Sequence, residues 1–314
     1  MQHARIVQGP IMGSVIAVYL LQILFLQLFV RLEPTMMGVS IPSSVQLLVD
    51  AVVQSIPALV FASTALLIFL AMLRSSVQVR LVSFLFLVMM VVDETASLLA
   101  GWLYGSLYWL LFSVLVIAFP EVLLMIAALE RRSIAAGAIT VSSVLASSFY
   151  AWSFLSRITF SVPPISLIPI SVYAFTVAFA LLSATMVKKF NFALYLSLSV
   201  AGVLMGLVVY FTSSNLLVQK IINMVLQTSL GAPTPLPWFA PLFFLIIFSD
   251  IYSLVISVKL RSLGPLSVAA GATMVFTSVY LPYNMLYAFI SFSGALLIFL
   301  GLSDNTSNQP KGVP

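Results

Sequence analysis

Long apolar stretches with almost no charge constrain this chain more than any other sequence feature. Of its 314 residues, 62% are hydrophobic and only 7% are charged, against about 25% in a soluble globular domain. A helix that spans a membrane needs about 20 apolar residues, and ten stretches approach that length. The sequence therefore predicts an integral membrane protein and excludes a soluble enzyme, a disordered chain and a fibrous protein.

The stretches predict an all-α fold, a polytopic transmembrane bundle of about ten helices that forms one domain over residues 1–302. Two long apolar regions, 81–129 and 265–302, each predict a tight helical hairpin, with turns near Leu103–Gly105 and Pro282–Asn284. The polar C-terminal tail, 303–314, is expected to be flexible. The predicted spans are 11–30, 51–73, 81–101, 106–129, 134–156, 167–187, 192–212, 239–258, 265–282 and 285–302.

The distribution of basic residues predicts the orientation of the bundle, because cytoplasmic loops of membrane proteins are enriched in Lys and Arg. With both termini inside, the outer side holds only Arg31, Arg157 and Lys220. This arrangement describes a multi-pass protein of the cell membrane. The inner side holds the other ten basic residues: Arg5, Arg74, Arg80, Arg131, Arg132, Lys188, Lys189, Lys259, Arg261 and Lys311.

The predicted outer loops are mostly longer than the inner ones, so we expect any aqueous partner to bind outside. In the longest outer loop, 213–238, polar residues recur at three- to four-residue spacing among apolar ones, which predicts an amphipathic helix lying in the outer interface. It serves either as a lid over the bundle or as a docking or lipid-binding surface. Its polar residues are Asn215, Gln219, Lys220, Asn223 and Gln227.

The residue inventory excludes most cofactor and enzyme chemistry. The chain has no cysteine and a single histidine, His3, so disulfides, iron–sulfur clusters, imidazole metal sites and a histidine-based triad are not expected. A b-type haem between helices usually needs two axial histidines, so we expect no haem on this chain alone. Scattered basic residues give no nucleic-acid signal. A membrane enzyme acting on lipid is the least favoured alternative.

Four carboxylates inside the predicted spans are the candidate functional residues. An ionised carboxylate at the membrane centre costs about 2.5–3.5 kcal/mol on insertion scales, so such residues are functional candidates by default. Because no Lys or Arg lies within the spans, we expect some of them to be protonated at neutral pH and to handle protons or contact a quinone. Alternatively, each is a neutral acid bonded to a nearby Ser or backbone carbonyl. The four are Asp93, Glu94, Glu121 and Asp250.

Helical spacing also predicts packing surfaces and leaves an internal repeat open. Rows of hydroxyl residues on two helices, and the pair Ser267 and Gly271, are typical of close helix packing. Asp93 and Asp250 fall in the third and eighth predicted spans, as two inverted five-helix repeats would place them, but the loop lengths of the halves do not match. The hydroxyl rows are Thr140, Ser143 and Ser147 on one helix and Ser249, Ser253 and Ser257 on another.

Two functions remain after these exclusions. One is a non-catalytic membrane subunit of a respiratory electron-transfer complex, and the other is a proton-coupled secondary transporter of a small solute. A glycine content of 14 residues, about 4.5% against the usual 7%, favours the first function, because transporter helices are richer in Gly and Pro breaks.

The size, the hydrophobicity and the cysteine-free, Ser/Leu/Ile/Val-rich composition resemble membrane proteins of thermoacidophilic archaea. Within that group the chain is similar to the hydrophobic membrane subunit that accompanies a glycosylated extracellular b-type cytochrome. The resemblance lies in overall character, so no functional residue is carried over. It implies an extracellular haem-bearing partner, with the haems on that other subunit.

Overall fold

The computed structural model describes residues 2–22, 43–99, 107–159, 167–187, 240–280 and 285–307. Within these ranges the chain forms nine helices and no strands, which confirms the all-α prediction for them. The predicted span 192–212, the predicted outer helix with Asn215, Gln219, Lys220, Asn223 and Gln227, and both predicted hairpin turns lie outside the described residues.

The helices are numbered in chain order. The last one continues to Ser307, into the first five residues of the predicted tail, whereas 308–314 lie outside the described residues. The bounds are α1 Gln2–Gln22, α2 Ser43–Arg74, α3 Val77–Leu99, α4 Leu107–Arg131, α5 Ile134–Thr159, α6 Leu167–Val187, α7 Ala240–Leu260, α8 Gly264–Tyr280 and α9 Met285–Ser307.

Within the residues that the structure describes, no helix provides a stretch both long enough and apolar enough to cross a membrane.

The antiparallel pair α8 and α9 forms the centre of the bundle. These two helices make the most extensive contact between any pair, and α1, α2, α4, α5, α6 and α7 also contact one or both of them. Helices α1 to α7 each pack against the next in this order, and α6 touches α7 although the chain between them is not described. Every residue of α9 from Ala288 to Gly301 is buried.

Glycines allow the backbones of α8 and α9 to approach closely. A Cβ atom added to Gly271 would lie 2.5 Å from the carbonyl oxygen of Gly294, and one added to Gly294 would lie 2.6 Å from the carbonyl oxygen of Gly271. A Cβ on Gly301 would lie 2.6 Å from the carbonyl oxygen of Gly264. Only glycine fits such contacts, and the predicted packing role of Gly271 follows from this geometry.

Several contacts bring the described basic loops to one end of the bundle. The Arg131 guanidinium at the end of α4 lies 4.6 Å from the centroid of the Phe299 ring, and Gly301, half a turn further along α9, packs against the start of α8. Ser76, between α2 and α3, donates a hydrogen bond to Glu130. We call this end, which carries Arg74, Arg80, Arg131, Arg132, Lys259 and Arg261, the basic end.

Two loops at the basic end terminate their helices in the same way. Arg132 after α4 has φ 48° and Arg261 after α7 has φ 49°. In both loops the N–H of the following serine bonds the carbonyl five residues back, at 3.2 Å from Ser133 and 3.1 Å from Ser262. This is the Schellman motif, in which glycine usually holds the left-handed position.

The bundle buries many small hydroxyl residues within its apolar core, and it also exposes many large apolar side chains. Buried serines include Ser83, Ser171, Ser183, Ser249 and Ser293. Each of the helices α1 to α7 exposes at least one large apolar side chain, for example Leu20, Phe69, Val91, Leu129, Val141, Val177 and Val258.

Candidate functional site

Glu121 lies in the interface between α4 and α5, directly after Pro120. Ser143 of α5 donates a hydrogen bond to Glu121 Oε1, with 2.8 Å between the oxygens. Ser147, one turn further along α5, also interacts with this carboxyl group. Glu121 Oε2 is buried and has no hydrogen-bond partner among the residues that the structure describes. A buried oxygen without a partner is uncommon in folded proteins, and this carboxyl oxygen is free to carry a proton or to accept a hydrogen bond.

Asp250 lies at a second acid site, between α7 and α8. The Thr273 hydroxyl oxygen is 3.2 Å from Asp250 Oδ1 and 3.0 Å from Oδ2. The same hydroxyl lies 3.2 Å from the carbonyl oxygen of Ala269. Asp250 therefore has a hydroxyl partner at both carboxyl oxygens, unlike Glu121.

Tyr19 of α1 extends this second site into a three-helix cluster. Its hydroxyl makes a short hydrogen bond with Thr277 and lies 3.4 Å from the carbonyl oxygen of Thr273. Thr277 in turn lies 2.9 Å from that same carbonyl. Tyr19, Asp250, Thr273 and Thr277 thus form one connected polar cluster that joins α1, α7 and α8.

The hydrogen-bond count at Thr273 permits two protonation states of Asp250. With an ionised carboxyl, the single Thr273 proton is donated to Asp250. With a protonated carboxyl, Asp250 donates to Thr273, which then donates to the carbonyl of Ala269. The same atoms satisfy both states, so a proton could exchange here without a change in side-chain positions.

The structure does not describe the side chains of the other two candidate acids. Asp93 and Glu94 belong to α3, but their side chains lie outside the described part of the structure. Glu121 and Asp250 lie in different helix interfaces and share no hydrogen-bond partner. Among the described side chains, no three His, Asp or Glu residues converge in a manner that could hold a metal ion.

The hydroxyl rows contribute unequally to these sites. Ser143 and Ser147 face the carboxyl group of Glu121, whereas Thr140 bonds only to the carbonyl of Ala136 in its own helix. On α7, Ser249 and Ser253 are buried and bond to their own helix. Both are consistent with a packing surface.

Sequence reasoning missed Tyr19, Thr273 and Thr277. Thr273 and Thr277 are four residues apart on a predicted span, which is the spacing of one helix face, and this signal was present in the sequence. Tyr19 had no local signal, because its partners follow it by more than 250 positions.

No protein-family model, curated protein or solved structure matches this chain.

Proposed function

We propose that the chain is a polytopic helical bundle embedded in the cell membrane, with both termini inside. The surface supports this, since many large apolar side chains are exposed while many small hydroxyl residues are buried in the apolar core. In water, such a surface would drive association. In lipid, exposed apolar side chains are well solvated and small residues favour close helix packing.

The basic end supports the proposed orientation. Six basic residues from three loops lie together there, and the N-terminal half of α1 and the C-terminal part of α9 reach the same end. Facing the cytoplasm, this end agrees with the enrichment of Lys and Arg in cytoplasmic loops.

Within that frame, the proposed function is that of a non-catalytic subunit of an archaeal respiratory electron-transfer complex. It anchors an extracellular b-type cytochrome, or another protein of the outer face, and contributes a proton or quinone site. The observation that carries this proposal is Glu121, a carboxyl group inside an apolar bundle with one oxygen that has no partner among the described residues. Haem chemistry belongs to the partner, because the chain has only His3.

A proton-coupled transporter is the second candidate function. The Asp250 cluster favours it, since its hydrogen bonds satisfy both protonation states of the carboxyl group. The central α8–α9 hairpin argues against it, because its close glycine contacts tie the middle of the bundle into one packed unit.

Purification from the native membrane in mild detergent tests the proposed role in electron transfer. We expect a stoichiometric extracellular haem protein to remain bound, with a b-type signal in the reduced-minus-oxidised spectrum of that fraction. The control is a membrane preparation from cells that express the untagged chain, taken through the same steps. A colourless fraction without a partner would contradict the proposal and make proton-coupled uptake in liposomes the next assay.

A further inference from the structure

The loops α4–α5 and α7–α8 share one local structure at the basic end. In each loop, a left-handed arginine is followed by a serine whose hydroxyl accepts a hydrogen bond from a backbone N–H of the next helix, at 3.2 Å in both cases. We call the pairs Arg132-Ser133 and Arg261-Ser262 the arginine–serine loops. Their two arginines hold equivalent positions in the fold.

Packing does not account for arginine at these two positions. Glycine usually holds the left-handed position of a Schellman motif, because any other side chain is strained there. Both arginine side chains are exposed, so neither fills a gap in the bundle. Strained residues cluster at functional sites, and an exposed pair of cations indicates an anionic partner.

The two arginine–serine loops lie against the same short stretch of α9. The Arg131 guanidinium, directly before the first loop, packs over the Phe299 ring. Gly301, two residues further along α9, packs against the carbonyl oxygen of Gly264, directly after the second loop. The two loops therefore belong to one surface.

This surface carries an excess of positive charge. Arg80 and Lys259 add two exposed cations to those of the arginine–serine loops. Glu130 is the one acidic side chain that the structure describes at this end, and Ser76 donates a hydrogen bond to it. An anionic partner would therefore meet several cations and one acid.

Exposed apolar side chains beside the arginines favour a lipid over a water-soluble acidic partner. Leu129 and Val258 each precede a left-handed arginine by three residues, and both are 70% exposed. A cation next to exposed apolar surface fits the boundary between the headgroups and the acyl chains of a bilayer.

We propose that the basic end binds the headgroups of anionic phospholipids in the inner leaflet, through the two arginine–serine loops. The guanidinium groups of Arg132 and Arg261 donate hydrogen bonds to lipid phosphate oxygens, while Leu129 and Val258 contact the acyl chains. The inference rests on the proposed membrane location and adds a lipid partner to it. It does not depend on the proposed role in electron transfer.

Competition between two lipids tests the inference. The full chain is placed in nanodiscs made from equal amounts of phosphatidylglycerol and phosphatidylcholine with the same acyl chains. It is then extracted in mild detergent, and the lipids that stay bound are counted by mass spectrometry. We expect phosphatidylglycerol to be enriched at least about fivefold, which is the effect of one basic residue near an anionic membrane surface.

Variants of the two arginines separate lipid binding from folding. Arg132→Gly and Arg261→Gly should each lower the enrichment, and the double variant should bring the ratio of bound lipids close to that of the nanodisc. Because glycine relieves the backbone strain, these variants should be at least as stable as the original chain in phosphatidylcholine alone. Loss of folded protein therefore cannot explain a lower enrichment. Arg132→Lys with Arg261→Lys keeps both charges and should retain most of it.

A matched control removes the same charge elsewhere. Arg157→Gln changes a basic residue near the opposite end of α5, so the enrichment should stay unchanged. Inorganic phosphate at millimolar concentration and constant ionic strength should leave the bound phosphatidylglycerol in place, because contacts with the acyl chains also hold the lipid.

Equal binding of the two lipids, enrichment that survives in the double glycine variant, or an equal loss in Arg157→Gln would each overturn the inference. Displacement by inorganic phosphate would overturn it as well, because it would show a site for free anions. All these results leave the proposed membrane location intact, since the chain has then entered the nanodiscs. A chain that does not enter nanodiscs would contradict that location, and the inference with it.

Discussion

At the scale of single residues, the carboxyl groups of Glu121 and Asp250 differ in how completely they are hydrogen-bonded. Asp250 has Thr273 at both oxygens, while Glu121 has Ser143 at Oε1, Ser147 beside the carboxyl group, and no partner at Oε2 among the described residues. A buried polar group left without a partner costs about 1–3 kcal/mol. We therefore assign a structural hydrogen-bonding role to the Asp250 cluster. Glu121 instead retains a carboxyl oxygen that can still accept a hydrogen bond.

Removal of the Thr273 hydroxyl tests the first of these assignments. Thr273→Val leaves the Asp250 carboxyl group without its partner, so we expect the free energy of unfolding to fall by about 1–3 kcal/mol. Chemical denaturation in detergent, followed by helical circular dichroism, measures the change. Thr140→Val is the matched control, because Thr140 bonds only within its own helix.

The double variant Asp250→Leu with Thr273→Val sharpens that test. Replacing both partners by apolar groups of similar shape removes the unpaired carboxyl, so part of the lost stability should return. A double variant less stable than the sum of its single changes would contradict the assigned pairing.

The sequence allowed the acids to be predicted, but not their environments. An acid within an apolar stretch is visible in one dimension, so Glu121 and Asp250 could be selected directly. Whether an acid is bonded depends on side chains from other helices, as Ser143 and Thr273 show. The four-residue spacing of Thr273 and Thr277 predicts that both lie on one face of a helix. It does not predict which acid that face contacts.

At the scale of elements, the close packing of α8 against α9 requires glycine, which has no side chain, at the contact positions. The Cβ of an alanine at Gly294 would lie 2.6 Å from a backbone oxygen, 3.0 Å from Met274 and 3.1 Å from Val275. The backbone oxygen at this contact cannot move aside as the end of a flexible side chain can. Overpacking of this kind costs about 1–3 kcal/mol.

We expect Gly294→Ala to lower the thermal unfolding midpoint and the yield of folded protein. Gly137→Ala is the matched control, because a Cβ there would meet only the Ala128 methyl group at 4.0 Å. Alanine is the better helix former by roughly 0.5–1 kcal/mol, so the control should be neutral or stabilising. A neutral Gly294→Ala would show that α8 and α9 are less closely packed than described.

The left-handed arginines lead to a prediction of the opposite sign. A non-glycine residue in this backbone region is strained by about 1–2 kcal/mol, so Arg132→Gly and Arg261→Gly should stabilise their helix ends. Thermal unfolding measures the gain. Arg131→Gly should destabilise, since Arg131 is helical and stacks on Phe299, and stabilisation by this change would contradict the explanation.

At the scale of the whole molecule, we propose a bundle whose solvent is lipid. The sequence predicted the helical class, and six of the ten basic residues predicted to lie inside belong to loops at the basic end. That this end faces the cytoplasm stays a prediction. It could not predict that the C-terminal hairpin forms the centre, because the central and peripheral stretches are all similarly apolar. That distinction arises from helix contacts, especially the glycines of α8 and α9.

We propose that the bundle spans the cell membrane with its basic end inside. The chain has no cysteine, so single cysteines can be placed without background. Val77 and Ile134, which are 78% and 76% exposed at the basic end, serve as inner positions, and Ser161 in the predicted outer loop serves as the outer one.

The most direct measurement is the labelling of these three single-cysteine variants with a membrane-impermeant maleimide in intact and permeabilised cells. We expect labelling of Ser161→Cys in intact cells and of Val77→Cys and Ile134→Cys only after permeabilisation. Labelling of the basic-end cysteines in intact cells, or recovery of the chain in the soluble fraction, would contradict it.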